Sequence, residues 1–211
     1  KYLKVKNLFK GINGVMGWSV WDYLDSFPAN IYVKYAKNLS YLTNDENSIG
    51  YHEAEYEIIT ANKLTLYKYL GSTIYLSDRL FNRREKLGTS DKYELGNKLY
   101  ADKNVSDFHY IIYKIAHEFG HAYWHATGEG MIYKIRYDTI EEEKLRYFRL
   151  KFGDITWREF GLKKLKGEIE LSVLEKMDEF GKILTDIVIY DEKYADKKGH
   201  EAYEQFKKYK F

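Results

Sequence analysis

The sequence predicts an α+β protein, in which a small, twisted, mostly antiparallel sheet packs on one buried helix and a helical part follows to the C-terminus. Polar and apolar residues alternate between Gly50 and Phe81, as they do in strands with one buried face. Apolar residues then recur at helical spacing between Phe108 and Ala122. From Met131 onward the chain has helical periodicity almost throughout.

The part that precedes the sheet is predicted to be helical. Residues 18–42 form an aromatic segment that contains the single proline, Pro28, and residues 43–48 form a polar loop. We therefore divide the chain into an N-terminal helical segment, residues 1–48, and one domain, residues 49–211. The N-terminal segment can join that domain in a single compact body.

Three short segments alternate most clearly, and each is predicted to be a strand: Glu55–Ile59, Leu64–Tyr67 and Thr73–Leu76. The charged, irregular residues 82–106 predict a surface loop. Ser106 or Asp107 should cap the helix that follows, and Gly128 and Gly130 should end it. Later breaks in the helical pattern are expected near three glycines: Gly153, Gly161 and Gly167.

The most informative stretch is His117-Glu118-Phe119-Gly120-His121, which lies within the buried helix. Residues four apart on a helix lie on one face, about 40° apart, so both imidazoles can reach one Zn²⁺. Glu118 is rotated about 100° from His117, close enough to act on a water at the metal without binding the metal. Gly120 would let a neighbouring backbone approach the helix closely. The motif predicts a zinc site.

A catalytic zinc site needs a third protein ligand and one open position for water. His125 lies one turn further along the same helix. A straight helix cannot direct three successive turns at one metal, so we interpret His125 as a rim or structural residue. Glu129, which follows the glycine turn, is a weak alternative.

A second predicted helix, Glu168–Tyr190, offers a better third ligand. At about 100° per residue its apolar face consists of Leu174, Met177, Gly181, Leu184 and Val188. Asp178 lies at the edge of that face, where an acid must be paired, hydrogen-bonded or bound to metal. We choose Asp178 as the third ligand. Glu170 lies on nearly the same stripe, and Glu175 and Glu179, on the solvated flank, are the remaining alternatives.

The two helices resemble those of gluzincin-type zincin metallopeptidases, nearest to the lethal-factor-like and Pro-Pro endopeptidase group. Members carry HExxH and, later, a helix that reads roughly Glu-x-Phe-Ala-Glu-x-Phe, whose first Glu binds zinc. Asp178-Glu-Phe180-Gly181-Lys182-Ile-Leu184 fits this frame. Asp replaces the ligand Glu, and Lys182 replaces the acid that orients a ligand histidine.

The resemblance covers about residues 74–190 and implies a zincin-like fold with Asp178 as zinc ligand. In that fold, the last strand before the zinc helix borders the cleft and binds substrate by strand addition. Thr73–Ser77 stands at that place. Leu171 stands where lethal-factor-like enzymes have a tyrosine that donates a hydrogen bond in the transition state.

These observations predict a zinc-dependent endopeptidase. His117, His121 and Asp178 would hold Zn²⁺, which lowers the pKa of its water toward 7. Glu118 would act as general base on that water and pass the proton to the leaving amine. The imperfect second motif favours one alternative, a non-catalytic binding, toxin-accessory or structural protein with a zincin fold.

Composition sets the remaining expectations. The chain has 211 residues, a formal net charge of +2 and no cysteine, which excludes disulfides and thiolate chemistry. Its charges are mixed, so we expect a peptide or protein substrate and neither nucleic acid nor membrane as partner. The chain begins at Lys1 rather than Met, as a processed product would, and we expect a secreted or extracellular protein.

Overall fold

The computed structural model describes residues 30–36, 39–43, 50–61, 64–77, 79–82 and 93–208. Most of the predicted N-terminal helical segment, residues 1–48, lies outside these ranges, and so does most of the predicted loop at 43–48. The chain divides into two compact units. The first consists of Lys1–Met131 and Asp191–Phe211, and the second is Ile132–Tyr190.

The architecture is α+β, as the sequence predicts. The strands are β1 (Ile31–Ala36), β2 (Gly50–Ala61) and β3 (Leu64–Ser77). The helices are α1 (Ser40–Thr43), α2 (Arg79–Asn82), α3 (Glu94–Ala101), α4 (Asp107–Ala126), α5 (Gly128–Phe152), α6 (Trp157–Leu165) and α7 (Leu171–Phe206). Among the residues described, no helix is apolar over a long enough stretch to span a membrane.

The three strands form one sheet in the order β1-β3-β2, with β3 at its centre. β2 and β3 are antiparallel, as predicted, whereas β1 pairs with β3 in parallel. The sheet is therefore mixed. Leu64–Tyr67 and Thr73–Leu76, which are predicted as separate strands, belong to one continuous strand, β3. The pairing register of β2 with β3 shifts between Glu55 and Tyr56 of β2.

Two sequence predictions about this sheet are wrong. The predicted helix over residues 18–42 contains β1, where Val33 is buried between exposed neighbours as in a strand with one buried face. Thr73–Ser77 does not border a free edge, because β1 pairs with it on one side and β2 on the other. An added strand needs unpaired backbone groups, so substrate cannot bind there by strand addition.

The helix with the HExxH motif, α4, lies at the centre of the first unit. Ser106 caps it, as predicted, by accepting a hydrogen bond from the backbone N–H of His109. The helix ends at Ala126, before the predicted glycines. The predicted loop over residues 82–106 is wrong in part, because it contains the two-turn helix α3. Residues of β3, α4 and α7 share the main core, including Ile74, Leu76, Ile112, Ile115, Phe119, Ala202 and Phe206.

Helices α4 and α7 approach each other closely at two glycines. A Cβ on Gly120 would lie 2.8 Å from Cα of Ala195 and 3.0 Å from Cβ of Lys198. A Cβ on Gly199 would lie 2.7 Å from the ring of Tyr113. Real Cβ atoms do not come this near to a neighbouring backbone, so the approach depends on the glycines. The predicted role of Gly120 is confirmed.

The second unit is helical and has a separate aromatic core around Phe148, Met177 and Phe180. Gly153 and Gly167 follow the ends of α5 and α6 with φ of 66° and 70°, the left-handed conformation that glycine adopts readily. Both breaks were predicted, whereas the third glycine, Gly161, lies inside α6.

The helix-helix contact generates a stability prediction. Gly120→Ala should lower the free energy of unfolding by about 1–3 kcal/mol, because the added methyl group must separate α4 from α7. Gly181→Ala is the matched control, since nothing lies within 4 Å of a Cβ built at that position in α7. It should stabilise the protein by about 0.5–1 kcal/mol. Urea denaturation followed by circular dichroism measures the free energy of unfolding of both variants. If the two substitutions changed it equally, the close approach of α4 and α7 would be contradicted.

Candidate metal centre

Three side chains of the first unit converge on one point. His117 and His121 come from α4, and Glu192 comes from α7. The Nε2 atom of His117 lies 3.4 Å from Oε2 of Glu192, and the Nε2 atom of His121 lies 3.6 Å from the same oxygen. Both histidines are buried. This group could hold a metal ion.

The spacing of these donor atoms fits a tetrahedral metal. Zinc bonds of 2.0–2.2 Å to nitrogen and oxygen place neighbouring ligand atoms about 3.3–3.6 Å apart at the tetrahedral angle. The two distances to Glu192 lie within that interval. Two imidazoles and one carboxylate would leave a fourth position of a tetrahedral metal open.

Glu118 adds a buried carboxyl to the cluster. Its burial raises the pKa of that carboxyl, and the nearby Glu192 and Asp191 add to the effect, whereas His117 and His121 oppose it. Gly50, at the start of β2, makes room for this side chain, because a Cβ there would lie 2.5 Å from Cδ of Glu118. The backbone of β2 therefore encloses the carboxylate at this position.

Asp191 fixes the orientation of His121. The Nδ1–H of His121 donates to Oδ1 of Asp191 at 2.8 Å, which leaves the Nε2 lone pair directed toward Glu192. Burial alone would raise the pKa of Asp191, but the imidazoles of His121 and His125 hold it well below its usual range. A carboxylate in this position makes a ligand histidine a stronger donor to metal.

His125 supports the same carboxylate from the next turn of α4. Its Nε2 lies 3.4 Å from Oδ2 of Asp191, and its Nδ1 lies 2.6 Å from the hydroxyl of Tyr56 on β2. If Nε2 carries the proton, Nδ1 accepts from the tyrosine hydroxyl. A continuous chain of polar contacts thus connects β2 to the candidate ligand His121. The interpretation of His125 as structural agrees with this geometry.

The cluster has an excess of negative charge. Glu118, Asp191 and Glu192 surround two imidazoles. Burial by itself would lower the pKa of His121, but Asp191 and then the other carboxylates raise it to about 10. Without a metal, this site therefore stabilises a proton on His121. A divalent cation would supply positive charge in place of that proton, and binding it would displace the proton.

The other ring nitrogen of His117 lacks the support that His121 has. Its Nδ1 atom is buried and has no hydrogen-bond partner among the residues that the structure describes. Ligand histidines of a zinc site are expected to be held through their second nitrogen. Only His121 meets this expectation.

His52 of β2 stacks beside the cluster. Its ring centroid lies 5.7 Å from that of His121 and 5.1 Å from that of His125. Nε2 of His52 contacts the hydroxyl of Ser72 at 2.8 Å. Burial lowers the pKa of His52 well below its ordinary value, and the two neighbouring histidines lower it further. His52 is therefore uncharged and lines one side of the site.

Tyr93, the first residue before α3, approaches the cluster from another side. Its ring centroid lies 5.9 Å from that of His117, and its hydroxyl donates a hydrogen bond to Glu192. Burial, together with Glu192 and Glu118, raises the pKa of Tyr93, so the phenol keeps its proton. A tyrosine thus lies at the site although Leu171 occupies the sequence position where the resemblance places one.

Asp196 binds the N-terminal end of α3, which directly follows Tyr93. Its carboxylate accepts hydrogen bonds from the backbone N–H groups of Leu95 and Gly96, both at 2.9 Å, and from the hydroxyl of Tyr113 at 2.5 Å. The first N–H groups of a helix have no partner within the helix, and a buried acid satisfies them well. Asp196 therefore anchors α3 next to the cluster.

The structure brings together three of the four predicted site residues: His117, Glu118 and His121. The fourth, Asp178, belongs to the second unit, its side chain is exposed, and it is not a member of the group that could hold a metal. The carboxylate of that group is Glu192, which the structure adds as a candidate third ligand, and the choice of Asp178 stays a prediction. The four alternative acids are also exposed: Glu129, Glu170, Glu175 and Glu179.

Two features of α7 explain why the sequence favours Asp178 and not Glu192. The buried stripe of α7 in the second unit consists of Val173, Met177, Phe180, Leu184 and Ile187, which is rotated by about 60° from the predicted face at 100° per residue. That rotation moves Asp178 from the edge of the face to its solvent side. In addition, α7 continues to Phe206, well beyond the predicted end at Tyr190.

A signal for Glu192 was present in the sequence. Ala195, Gly199 and Ala202 recur at helical spacing and form a stripe of small residues that suits close helix packing. Glu192 and Asp196 lie on or next to that stripe. An acid beside a stripe that permits close approach is expected to be buried and to need a partner.

Comparison of the chain with protein-family models, with curated proteins and with solved structures gives no match. A functional assignment therefore rests on the geometry of the site.

Metal affinity distinguishes the two candidate third ligands. Glu192→Ala should weaken zinc binding by roughly a hundredfold or more, because losing a ligand costs more than losing a group that orients one. Asp178→Ala is the matched control on the same helix, and it should leave zinc affinity unchanged and stability within about 0.5 kcal/mol. Competition titration with a chromogenic chelator measures both variants. The assignment of Glu192 is wrong if Asp178→Ala is the variant that loses zinc.

Proposed function

We propose that the protein is a zinc-dependent endopeptidase in which His117, His121 and Glu192 hold the metal and Glu118 is the general base. One observation supports this most: two imidazole Nε2 atoms meet a carboxylate at tetrahedral spacing, and a second, buried carboxylate lies beside them. Zinc held by these residues would polarise the scissile carbonyl and would lower the pKa of a water toward 7.

The residues of the chain account for the proton transfers. Glu118 takes the proton of the attacking water and delivers it to the amine that leaves. Its burial suits this task, because a raised carboxyl pKa brings its proton affinity closer to that of the groups with which it exchanges. Asp191 keeps His121 in the tautomer whose Nε2 binds metal.

Tyr93 is the group best placed to stabilise negative charge on the substrate. Its hydroxyl reaches Glu192, so a peptide carbonyl at the open position of the cluster would lie near the same phenol. A protonated phenol donates to the oxygen that becomes negatively charged when the carbonyl is attacked. We infer that Tyr93 exchanges its hydrogen bond to Glu192 for one to the substrate.

β2 is the strand that can align an extended peptide. Its residues Gly50, His52 and Tyr56 face Glu118, His121 and His125 in turn. No strand among the described residues pairs with the edge of β2 that faces away from β3. A peptide that adds to this edge would gain backbone hydrogen bonds along the cluster.

The alternative is a non-catalytic protein that keeps the zincin-like helix for binding or for structure. The observation that favours it is the buried Nδ1 of His117, which no described residue satisfies. Such a site could bind metal weakly, or serve only to connect α4 with α7. A zinc-loaded protein that is inert on a broad peptide library would support this alternative.

Replacement of the general base tests the proposal. Glu118→Gln should retain zinc at the wild-type stoichiometry, because Glu118 is not a ligand, and should reduce peptide cleavage by about 10²–10⁴-fold. Mass spectrometry of a digested peptide library measures cleavage, and atomic absorption measures zinc. Cleavage by Glu118→Gln at the wild-type rate would refute the mechanism, and loss of zinc would assign Glu118 to the metal instead.

A further inference from the structure

The second unit contributes no residue to the metal cluster, yet its helix α6 has a surface that the peptidase proposal does not explain. None of the nine residues of α6 is buried. Phe160 faces the core of the unit, with its ring centroid 5.3 Å from that of Phe148 and 5.1 Å from that of Phe152. A surface helix normally places its other apolar residues on that same side.

α6 instead directs two leucines outward: Leu162 is 50% exposed and Leu165 is 85% exposed. Its Trp157 packs on the core, with its ring centroid 4.1 Å from that of Phe148. At 100° per residue the two leucines occupy an arc of about 60°, roughly opposite Phe160. Exposure of these apolar side chains to water is unfavourable, so burying them against an apolar partner would lower the free energy.

The apolar arc lies among cations. Arg158, Lys163, Lys164 and Lys166 are all exposed on or next to α6. The acid of the helix, Glu159, accepts hydrogen bonds from Thr156 in the capping box. Glu168 lies 3.9 Å from Lys163 and offsets part of one charge.

Cations also occur beyond α6, on α5. Residues 144–166 contain eight lysines and arginines and two acids, Asp154 and Glu159, and five further acids flank this range: Glu141, Glu142, Glu143, Glu168 and Glu170. Within this range Lys144 lies over the ring of Trp157, with 5.6 Å between Nζ and the ring centroid. Leu150, on the neighbouring α5, is 78% exposed. α6 and the adjoining part of α5 therefore combine exposed leucines with exposed cations.

We propose that α6 docks the protein on the surface of a membrane that contains anionic lipids. A bilayer interface accepts both components of this surface, because leucine side chains enter the boundary between headgroups and acyl chains while lysine stems extend their ammonium groups to lipid phosphates. A nucleic acid would match the cations but would gain little from Leu162 and Leu165. The sequence pattern does not predict this surface, because these residues are scattered among polar ones.

This docking is peripheral and does not depend on peptidase activity. A nine-residue helix with two exposed leucines supports weak, reversible binding, and the electrostatic part should fall as salt screens the charges. If cleavage activity is absent but vesicle binding is found, the docking proposal stands alone. If cleavage is found without vesicle binding, only the docking proposal fails.

Vesicle flotation with the full chain tests the proposal. The protein should float with phosphatidylcholine vesicles that contain phosphatidylglycerol, and not with phosphatidylcholine alone. The triple variant Lys163→Glu, Lys164→Glu, Lys166→Glu should bind at least about tenfold more weakly, since each cation near an anionic surface contributes to affinity. Leu165→Ser should weaken binding severalfold, because it removes an exposed apolar contact without disturbing the core.

Matched controls separate local from general effects. The triple variant Lys103→Glu, Lys182→Glu, Lys208→Glu changes the net charge equally at exposed sites elsewhere, and Leu66→Ser removes a leucine that is 58% exposed in β3. Both should bind vesicles as the wild type does. Absence of binding to anionic vesicles at low salt, equal loss in variants and controls, or binding of single-stranded RNA in place of vesicles would each overturn the proposal.

Discussion

The close approach of α4 and α7 is the contact on which the candidate site depends. Gly120 lies between the two histidines of the motif, and the backbone of Ala195 occupies the space that any larger residue would need. Because the helices touch here, the preceding turn of α7 places Asp191 and Glu192 against His121 and its partner His117. A wider separation would leave the histidines without their acids.

Electrostatics then favours a cation at this contact. Three carboxylates surround the two histidines, and burial makes each uncompensated charge costly. Asp191 is compensated by His121 and His125, which hold its pKa low. Glu192 interacts with the hydroxyl of Tyr93 and with the two Nε2 atoms. The three carboxylates therefore favour the binding of a cation. The spacing of the Nε2 and carboxylate atoms suits a tetrahedral divalent metal.

The sequence could predict the parts of the site that are local. The spacing of His117, Glu118 and His121 is fixed by helix geometry, and Gly120 indicated the close approach. The cap at Ser106 likewise follows from the residues that surround it. Each of these inferences needs only one helix and its immediate neighbours.

The candidate third ligand, Glu192, depends on a long-range contact and was not predictable in the same way. Asp191, which positions His121, is 70 residues away from it in sequence. Identifying Glu192 required the correct end of α7 and the correct rotation of its buried face, and an error of about 60° was enough to favour Asp178. β1 was missed for a related reason, since its parallel pairing with β3 leaves no local turn signal.

A crystal structure of the full chain grown with zinc, with an anomalous difference map recorded at the zinc edge, tests the central claim most directly. We expect one peak in the first unit, with Nε2 of His117, Nε2 of His121 and a carboxylate oxygen of Glu192 each about 2.0–2.2 Å from the metal. No peak at this cluster, or a peak bound by Asp178 with Glu192 turned away, would contradict it.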